Sequence, residues 1–146
     1  MNSFSVEIYP NIPDYFFSQD SIDNFCIDKI NINKVMEKNI EEYDLIYKVN
    51  GMIFRYYPSS ILTLINDLDL EMNLFKERSN HIVTLSGYPV LEIDFDGESV
   101  LFIDPIRDGV GERRILGDRF WVFAVEDVIE SALNRVKKYV MYLESL

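Results

Sequence analysis

Two Asx-Gly dipeptides, each placed between runs of alternating apolar residues, constrain the fold of this chain more than any other feature. Asn-Gly and Asp-Gly are the favoured central pairs of two-residue type I′ turns, whose twist matches that of antiparallel strands. The chain therefore has two predicted β-hairpins. They comprise Asp44–Val49 with Met52–Tyr57 around Asn50-Gly51, and Val90–Phe95 with Glu98–Ile103 around Asp96-Gly97.

The turn positions also predict which residues face each other across each hairpin, because side chains alternate between the two faces of a strand. The first register pairs Val49 with Met52, Tyr47 with Phe54 and Leu45 with Tyr56 on an apolar face. The second register pairs Ile93 with Val100, Leu91 with Phe102, Glu92 with Leu101 and Asp94 with Ser99. We expect the apolar face of each hairpin to point inward.

Three segments carry apolar residues at helical spacing. They run from Ile32 to Tyr43, from Ile61 to Phe75, and from Glu126 through Ile129 to Leu143. Asn31 or Asn33 is the expected cap of the first helix, and Ser59 or Ser60 that of the second.

Short strands are expected between these segments, because their residues alternate or are strongly β-forming. They are Phe4–Tyr9, His81–Leu85 and Phe120–Ala124, with a long connection over Pro105–Asp118. The prediction is one α+β domain over residues 1–146: a mostly antiparallel sheet with two hairpins, packed by about three helices including a C-terminal amphipathic helix.

The net charge of the chain limits the kinds of molecule that it can attract as partners. The chain has 25 acidic and 14 basic residues, a net charge of -11 over 146 residues. Such a surface attracts cationic proteins and repels nucleic acid and anionic lipid. No apolar run has the roughly 20 residues of a membrane span, and the start lacks signal-peptide features. One cysteine fits a reducing compartment, so we expect a cytoplasmic protein with a basic protein partner.

Acidic residues are dense in the second hairpin and its exit. This pattern suggests calcium-loop or glycosidase chemistry, but an EF-hand needs flanking helices, and acid/base work needs a cleft. A charged surface that contacts a partner is favoured instead. The expected contact residues are Glu92, Asp94, Asp96, Glu98, Asp104, Asp108 and Glu112.

Residues for catalysis are scarce. His81 and Cys26 are the only residues of their types, so no conventional triad or multi-Cys/His metal site can be assembled. The stretch Asp108–Arg114 has two glycines but no P-loop lysine, which favours an ordinary loop. We therefore expect no enzyme activity, no metal and no cofactor, and structural roles for His81 and Cys26.

In size, charge and α+β order, the whole chain resembles bacterial immunity proteins of contact-dependent inhibition and related polymorphic toxin systems. The resemblance carries no family motif and transfers no residue. It implies binding to a cognate toxin domain, in many cases a basic nuclease, whose active site is occluded or distorted. Complementary charge accelerates such an encounter and aromatic residues slow dissociation.

The alternatives are a chaperone of the type III secretion kind and an acidic DNA mimic; an unusual enzyme is a further hypothesis, to be favoured by a pocket converging on His81 with several carboxylates. The sequence leaves open whether the chain is a monomer or a homodimer through its C-terminal helix.

Overall fold

Seven strands and three α-helices make up the fold in the computed structural model, which describes residues 3–12, 25–55, 58–78, 80–85, 88–105 and 113–146. The strands are β1 (Phe4–Tyr9), β2 (Asp44–Val49), β3 (Met52–Arg55), β4 (His81–Leu85), β5 (Tyr88–Asp94), β6 (Ser99–Pro105) and β7 (Arg113–Trp121). The helices are α1 (Ile32–Lys38), α2 (Ile61–Lys76) and α3 (Val122–Ser145), with a short 3₁₀ turn at Ile27–Lys29.

The first sheet has the strand order β1-β2-β3 and is antiparallel. At its hairpin, Asn50 and Gly51 have φ values of 48° and 84°, which confirms the type I′ turn. Val49 pairs with Met52 and Tyr47 with Phe54, as predicted. The third predicted pair includes Tyr56, which lies outside the described residues. Leu45, Tyr47 and Val49 are buried, so this face of β2 points inward.

The second sheet has the order β4-β5-β6-β7 and is also antiparallel. All four predicted pairs between β5 and β6 are confirmed. The prediction for the following segment was wrong in part, because Arg113–Trp121 is a strand rather than the end of a connection. Strand β7 pairs with β6, and the register shifts between Leu101 and Ile103. Gly117 lies in the part of β7 that faces this shift, and a glycine inside a strand is typical of such a bulge.

Helix α2 follows the prediction closely. Ser60 caps it by accepting a hydrogen bond from the Thr63 N–H at 3.3 Å. Six apolar residues at helical spacing within the predicted segment are buried. They are Ile61, Leu64, Ile65, Leu68, Met72 and Phe75.

Helices α1 and α3 differ from their predictions at one end each. Helix α1 begins after the cap Asn31 but ends at Lys38, and Val35 is the one buried residue of this fully described helix. Helix α3 begins at Val122, four residues earlier than expected. The run Phe120–Ala124 is therefore not one strand, because β7 ends at Trp121.

The core joins both sheets to the helices. The Phe4 ring lies 5.6 Å from the Tyr47 ring in the first sheet and 5.0 Å from the Phe102 ring in the second. Phe102 in turn meets Phe120 edge to face at 5.0 Å. Helix α3 packs against α2 and contacts strands of both sheets, which confirms the α+β class. In the described parts of the chain, no helix combines the length and apolarity needed to cross a membrane.

Candidate functional site

The hairpin formed by β5 and β6 holds the carboxylates that the sequence pointed to. Its pairing places Glu92 opposite Leu101 and Asp94 opposite Ser99, on the face away from Ile93. Ile93 is buried in the core, so Glu92 and Asp94 lie on the outer face of the sheet. Asp96 and Glu98 follow in the turn, where both are exposed. The four residues Glu92, Asp94, Asp96 and Glu98 are called the acidic hairpin below.

The turn of the acidic hairpin differs from the predicted type I′ turn. Among the described glycines only Gly51 has positive φ, whereas here the residue with positive φ is Glu98, at 50°. The Glu98 N–H donates to the Phe95 carbonyl at 3.2 Å, and the Gly97 N–H donates to Asp94 Oδ1 at 3.0 Å. These bonds close the turn around Asp96 and Gly97 and leave the left-handed position to Glu98.

Asn80, which precedes β4, supports the turn from the neighbouring strand. Its Oδ1 accepts a hydrogen bond from the Phe95 N–H at 2.9 Å, and its Nδ2 donates to Asp96 Oδ2 at 3.3 Å. A side-chain amide has both an acceptor and a donor, so one residue satisfies a backbone N–H and positions a carboxylate. The acidic side chains are therefore held on a supported turn.

Arg78 and the start of α3 support the same turn from below. The Arg78 guanidinium lies over the Phe95 ring at 5.4 Å and the Phe123 ring at 5.1 Å. Its Nη1 donates to Glu126 Oε2 at 2.9 Å. The Val122 N–H donates to the Glu98 carbonyl at 3.0 Å, so the first turn of α3 is tied to the hairpin.

The charge of the acidic hairpin is largely uncompensated by the residues that the structure describes. In those parts of the chain the ion pairs join Lys48 to Glu7, Arg78 to Glu126, His81 to Glu77 and Lys137 to Asp69. None involves a carboxylate of the hairpin. Arg119 is the nearby cation, and its Nη1 donates to Ser99 Oγ at 3.1 Å.

An open depression of about 500 Å³ lies beside these side chains. Its lining includes three acidic residues, one arginine and one histidine. The lining residues are Asn80, His81, Glu92, Ile93, Asp94, Asp96 and Arg119. Such a polar, open surface suits contact with the charged groups of a partner.

His81 is one of the residues at this depression, but its imidazole contacts Glu77 on the opposite face of the sheet. His81 pairs with Ile93 across the sheet, so its side chain leaves the pleat opposite to Glu92 and Asp94. Its Nε2 lies 3.0 Å from Glu77 Oε2, at the end of α2. The imidazole thus links β4 to α2, and the structural role of His81 stays a prediction. Within the described ranges, no three Cys, His, Asp or Glu side chains are placed to hold a metal ion.

Trp121 is a surface residue that the sequence reasoning missed. It ends β7, pairs with Ser99, and is 59% exposed. Asp94, Ser99 and Trp121 therefore form one cross-strand row on the outer face. Tryptophan is enriched among the residues that dominate protein interfaces. The chain has one tryptophan, so Trp121 could have been chosen from the sequence as a candidate contact residue.

Glu71 is a second residue that the sequence reasoning missed. It lies on the apolar stripe of α2, three residues after Leu68, and is only 2% exposed. The Tyr47 hydroxyl donates to its Oε2, while among the described residues Oε1 has no partner. Burial raises its pKa to about 7, the Tyr47 hydrogen bond opposes that rise, and the charge of Asp67 adds to it.

Three further residues complete the predicted contact set. Asp104 lies in β6, where its backbone pairs with Arg114. Asp108 and Glu112 lie outside the described residues. Cys26 is half-buried and lines a cleft together with Ile30 and Met141.

Comparison of the chain with protein-family models, curated proteins and solved structures finds no match.

Proposed function

We propose that this chain is an immunity protein that binds and neutralises a cognate toxin domain through its acidic hairpin. The observation that carries the proposal is the cluster of four carboxylates on the acidic hairpin, which form no ion pair with a cation among the described residues. Such a cluster fits a basic protein surface, as on a nuclease whose own ligand is a polyanion. Occupying that surface blocks the toxin's access to nucleic acid.

Electrostatics explains why the cluster is useful before contact is made. A chain with net charge -11 attracts a cationic partner from a distance, and the local carboxylates orient the approach. The range is set by the Debye length, about 8 Å at physiological salt. Added salt is therefore expected to slow association more than it speeds dissociation.

The proposed site is also rigid, which lowers the entropic cost of binding. Asn80 and Arg78 hold the turn from two directions, and the Glu98 carbonyl accepts the first N–H of α3. The partner therefore meets preformed carboxylate positions rather than a mobile loop. A cytoplasmic location, where an immunity protein meets an incoming toxin, belongs to the same proposal.

The test is protection of cells against candidate toxin domains, sought first in the genes beside this one. The hairpin variant reverses three charges and keeps Asp94, because its Oδ1 closes the turn. It carries Glu92→Lys, Asp96→Lys and Glu98→Lys. The matched α1 variant changes the net charge equally at exposed positions near α1. It carries Glu37→Lys, Glu41→Lys and Glu42→Lys.

We expect the wild type and the α1 variant to protect cells, and the hairpin variant to lose protection. Equal protection by both variants would remove the acidic hairpin from the site. A toxin domain that the wild-type chain neither binds nor inhibits would contradict the proposed function. Turnover of a small substrate that is lost on His81→Ala would instead support the enzyme hypothesis.

A secretion chaperone is the second candidate, favoured by apolar side chains on the opposite end of the molecule. A cleft of about 260 Å³ lies between the segment that leads into α1 and the end of α3. Exposed apolar residues on these elements are Ile32, Met36, Met141 and Tyr142. A stable homodimer by sedimentation would favour the chaperone, whereas a monomer that binds the folded toxin domain would favour the immunity protein.

A further inference from the structure

The hairpin end of the molecule already binds one guanidinium between aromatic rings. Arg78 lies 5.4 Å from the Phe95 ring centroid and 5.1 Å from that of Phe123, while Glu126 accepts its hydrogen bonds. Two ring faces and a carboxylate are the groups that recognise a planar cation. This contact is made within the chain, and it shows that rings and a carboxylate at this end can hold a guanidinium.

Trp121 continues this series of rings toward solvent. Its ring centroid lies 5.2 Å from that of Phe123, at an interplanar angle of 69°. Unlike the inner rings it is 59% exposed. Tryptophan is enriched among the residues that dominate protein interfaces, so the exposed indole is a candidate contact.

Carboxylates lie within reach of the same indole. Asp94 and Trp121 are both cross-strand neighbours of Ser99, so two strand spacings, roughly 10 Å, separate their backbones. Glu98 directly precedes Ser99 and is exposed. An arginine side chain stacked on the indole can therefore direct its N–H groups toward either carboxylate.

We propose that Trp121 is the principal contact residue of this surface and that its occupant is an arginine of a basic protein partner. This inference rests on the proposed function, since it names the partner group that the acidic hairpin attracts. Arginine fits better than lysine because its guanidinium is planar, weakly hydrated and able to stack on a ring while donating five hydrogen bonds. The toxin's surface would present this arginine among other basic residues.

Arg119 modifies the same surface. It precedes Trp121 by two residues in β7, so the two side chains leave the same face of the sheet. Its positive charge opposes the approach of a cationic partner. Replacing it by glutamine is therefore expected to strengthen binding, whereas weakened binding would show that the partner presents an acid at this position.

The test uses a dye-labelled hexa-arginine peptide as the probe, with hexa-lysine as its charge-matched control. Binding is measured by anisotropy, and the emission of the single tryptophan reports contact at Trp121 itself. Trp121→Leu is expected to weaken hexa-arginine binding about tenfold to thirtyfold, because leucine has no ring for a cation–π contact. Trp121→Phe is expected to weaken binding less, because phenylalanine keeps a ring. Tyr9→Leu is the matched control, because Tyr9 is 61% exposed on the first sheet, and it should bind as the wild type does.

The outcomes separate this inference from the proposed function. Equal binding of the two peptides with the same change in emission would overturn the choice of arginine. Unchanged hexa-arginine affinity in Trp121→Leu would overturn the role of Trp121. The proposed function survives either of these results if the wild-type chain binds the toxin domain and the hairpin variant does not. If no toxin domain is bound at all, the proposed function fails regardless of the peptide results.

Discussion

Replacing Glu71 by glutamine is expected to remove a pH dependence of stability that originates in the core. Burial raises the pKa of this carboxyl from 4.5 to about 7 in the folded state. The folded chain therefore keeps a proton that the unfolded chain releases, and its unfolding free energy falls as pH rises between these two values. The stabilisation is complete below 4.5 and lost above about 7. The interval corresponds to about 3 kcal/mol of unfolding free energy.

Glutamine keeps the shape of the side chain and an oxygen that accepts from Tyr47, but it has no charge to bury. The assay is chemical denaturation of wild type and Glu71→Gln from about pH 5 to about pH 8. The variant is expected to gain roughly 2–3 kcal/mol relative to wild type over that range. Glu130→Gln, at an exposed position of α3, is the control for removal of one charge and should follow the wild-type curve. A constant difference between wild type and Glu71→Gln would refute the reasoning.

Three further substitutions test the hairpin turns and their supports by the same denaturation assay. Glu98→Gly is expected to stabilise the chain by about 0.5–1 kcal/mol, because glycine adopts the observed φ of 50° without strain; destabilisation would contradict the turn geometry. Gly51→Ala should destabilise by about 1 kcal/mol at φ 84°, and an unchanged midpoint would argue against the type I′ turn. Arg78→Ala is expected to cost about 1–2 kcal/mol through its ring contacts and the Glu126 pair, while exposed Lys76→Ala should cost less; equal losses would count against the Arg78 contacts.

The hairpin registers were predictable because both signals that define them are local. Alternating apolar residues select the inner face, and an Asx-Gly pair selects where the chain reverses. The type of the second turn was not predictable in the same way. Asn80 accepts the Phe95 N–H from a neighbouring strand, and the left-handed position moves to Glu98 without changing the register.

The boundaries of α1 and α3 depend on contacts that periodicity does not report. Ile32, Met36 and Ile40 lie at helical spacing, yet all are exposed and the helix ends before Ile40. The start of α3 is displaced because the Val122 N–H meets the Glu98 carbonyl, a partner more than twenty residues earlier. Such pairings arise only when the sheet is assembled.

The candidate site was predicted in part. Local acidity located Glu92, Asp94, Asp96 and Glu98, because a dense acidic hairpin is visible in the sequence itself. Trp121 required knowledge that β7 pairs with β6 and places the indole in the row of Asp94. Glu71 was recognisable in principle, since it falls on the helical stripe between Leu68 and Phe75.

The association rate constant with a toxin domain identified by the protection assay tests the central claim most directly. Stopped-flow mixing at low and high salt compares the wild type with the hairpin variant and the α1 variant. The two variants have the same net charge. The hairpin variant is expected to associate roughly tenfold more slowly than the α1 variant at low salt, with the difference shrinking at high salt. Equal association rates of the two variants at low salt would contradict the claim that the acidic hairpin receives a basic partner.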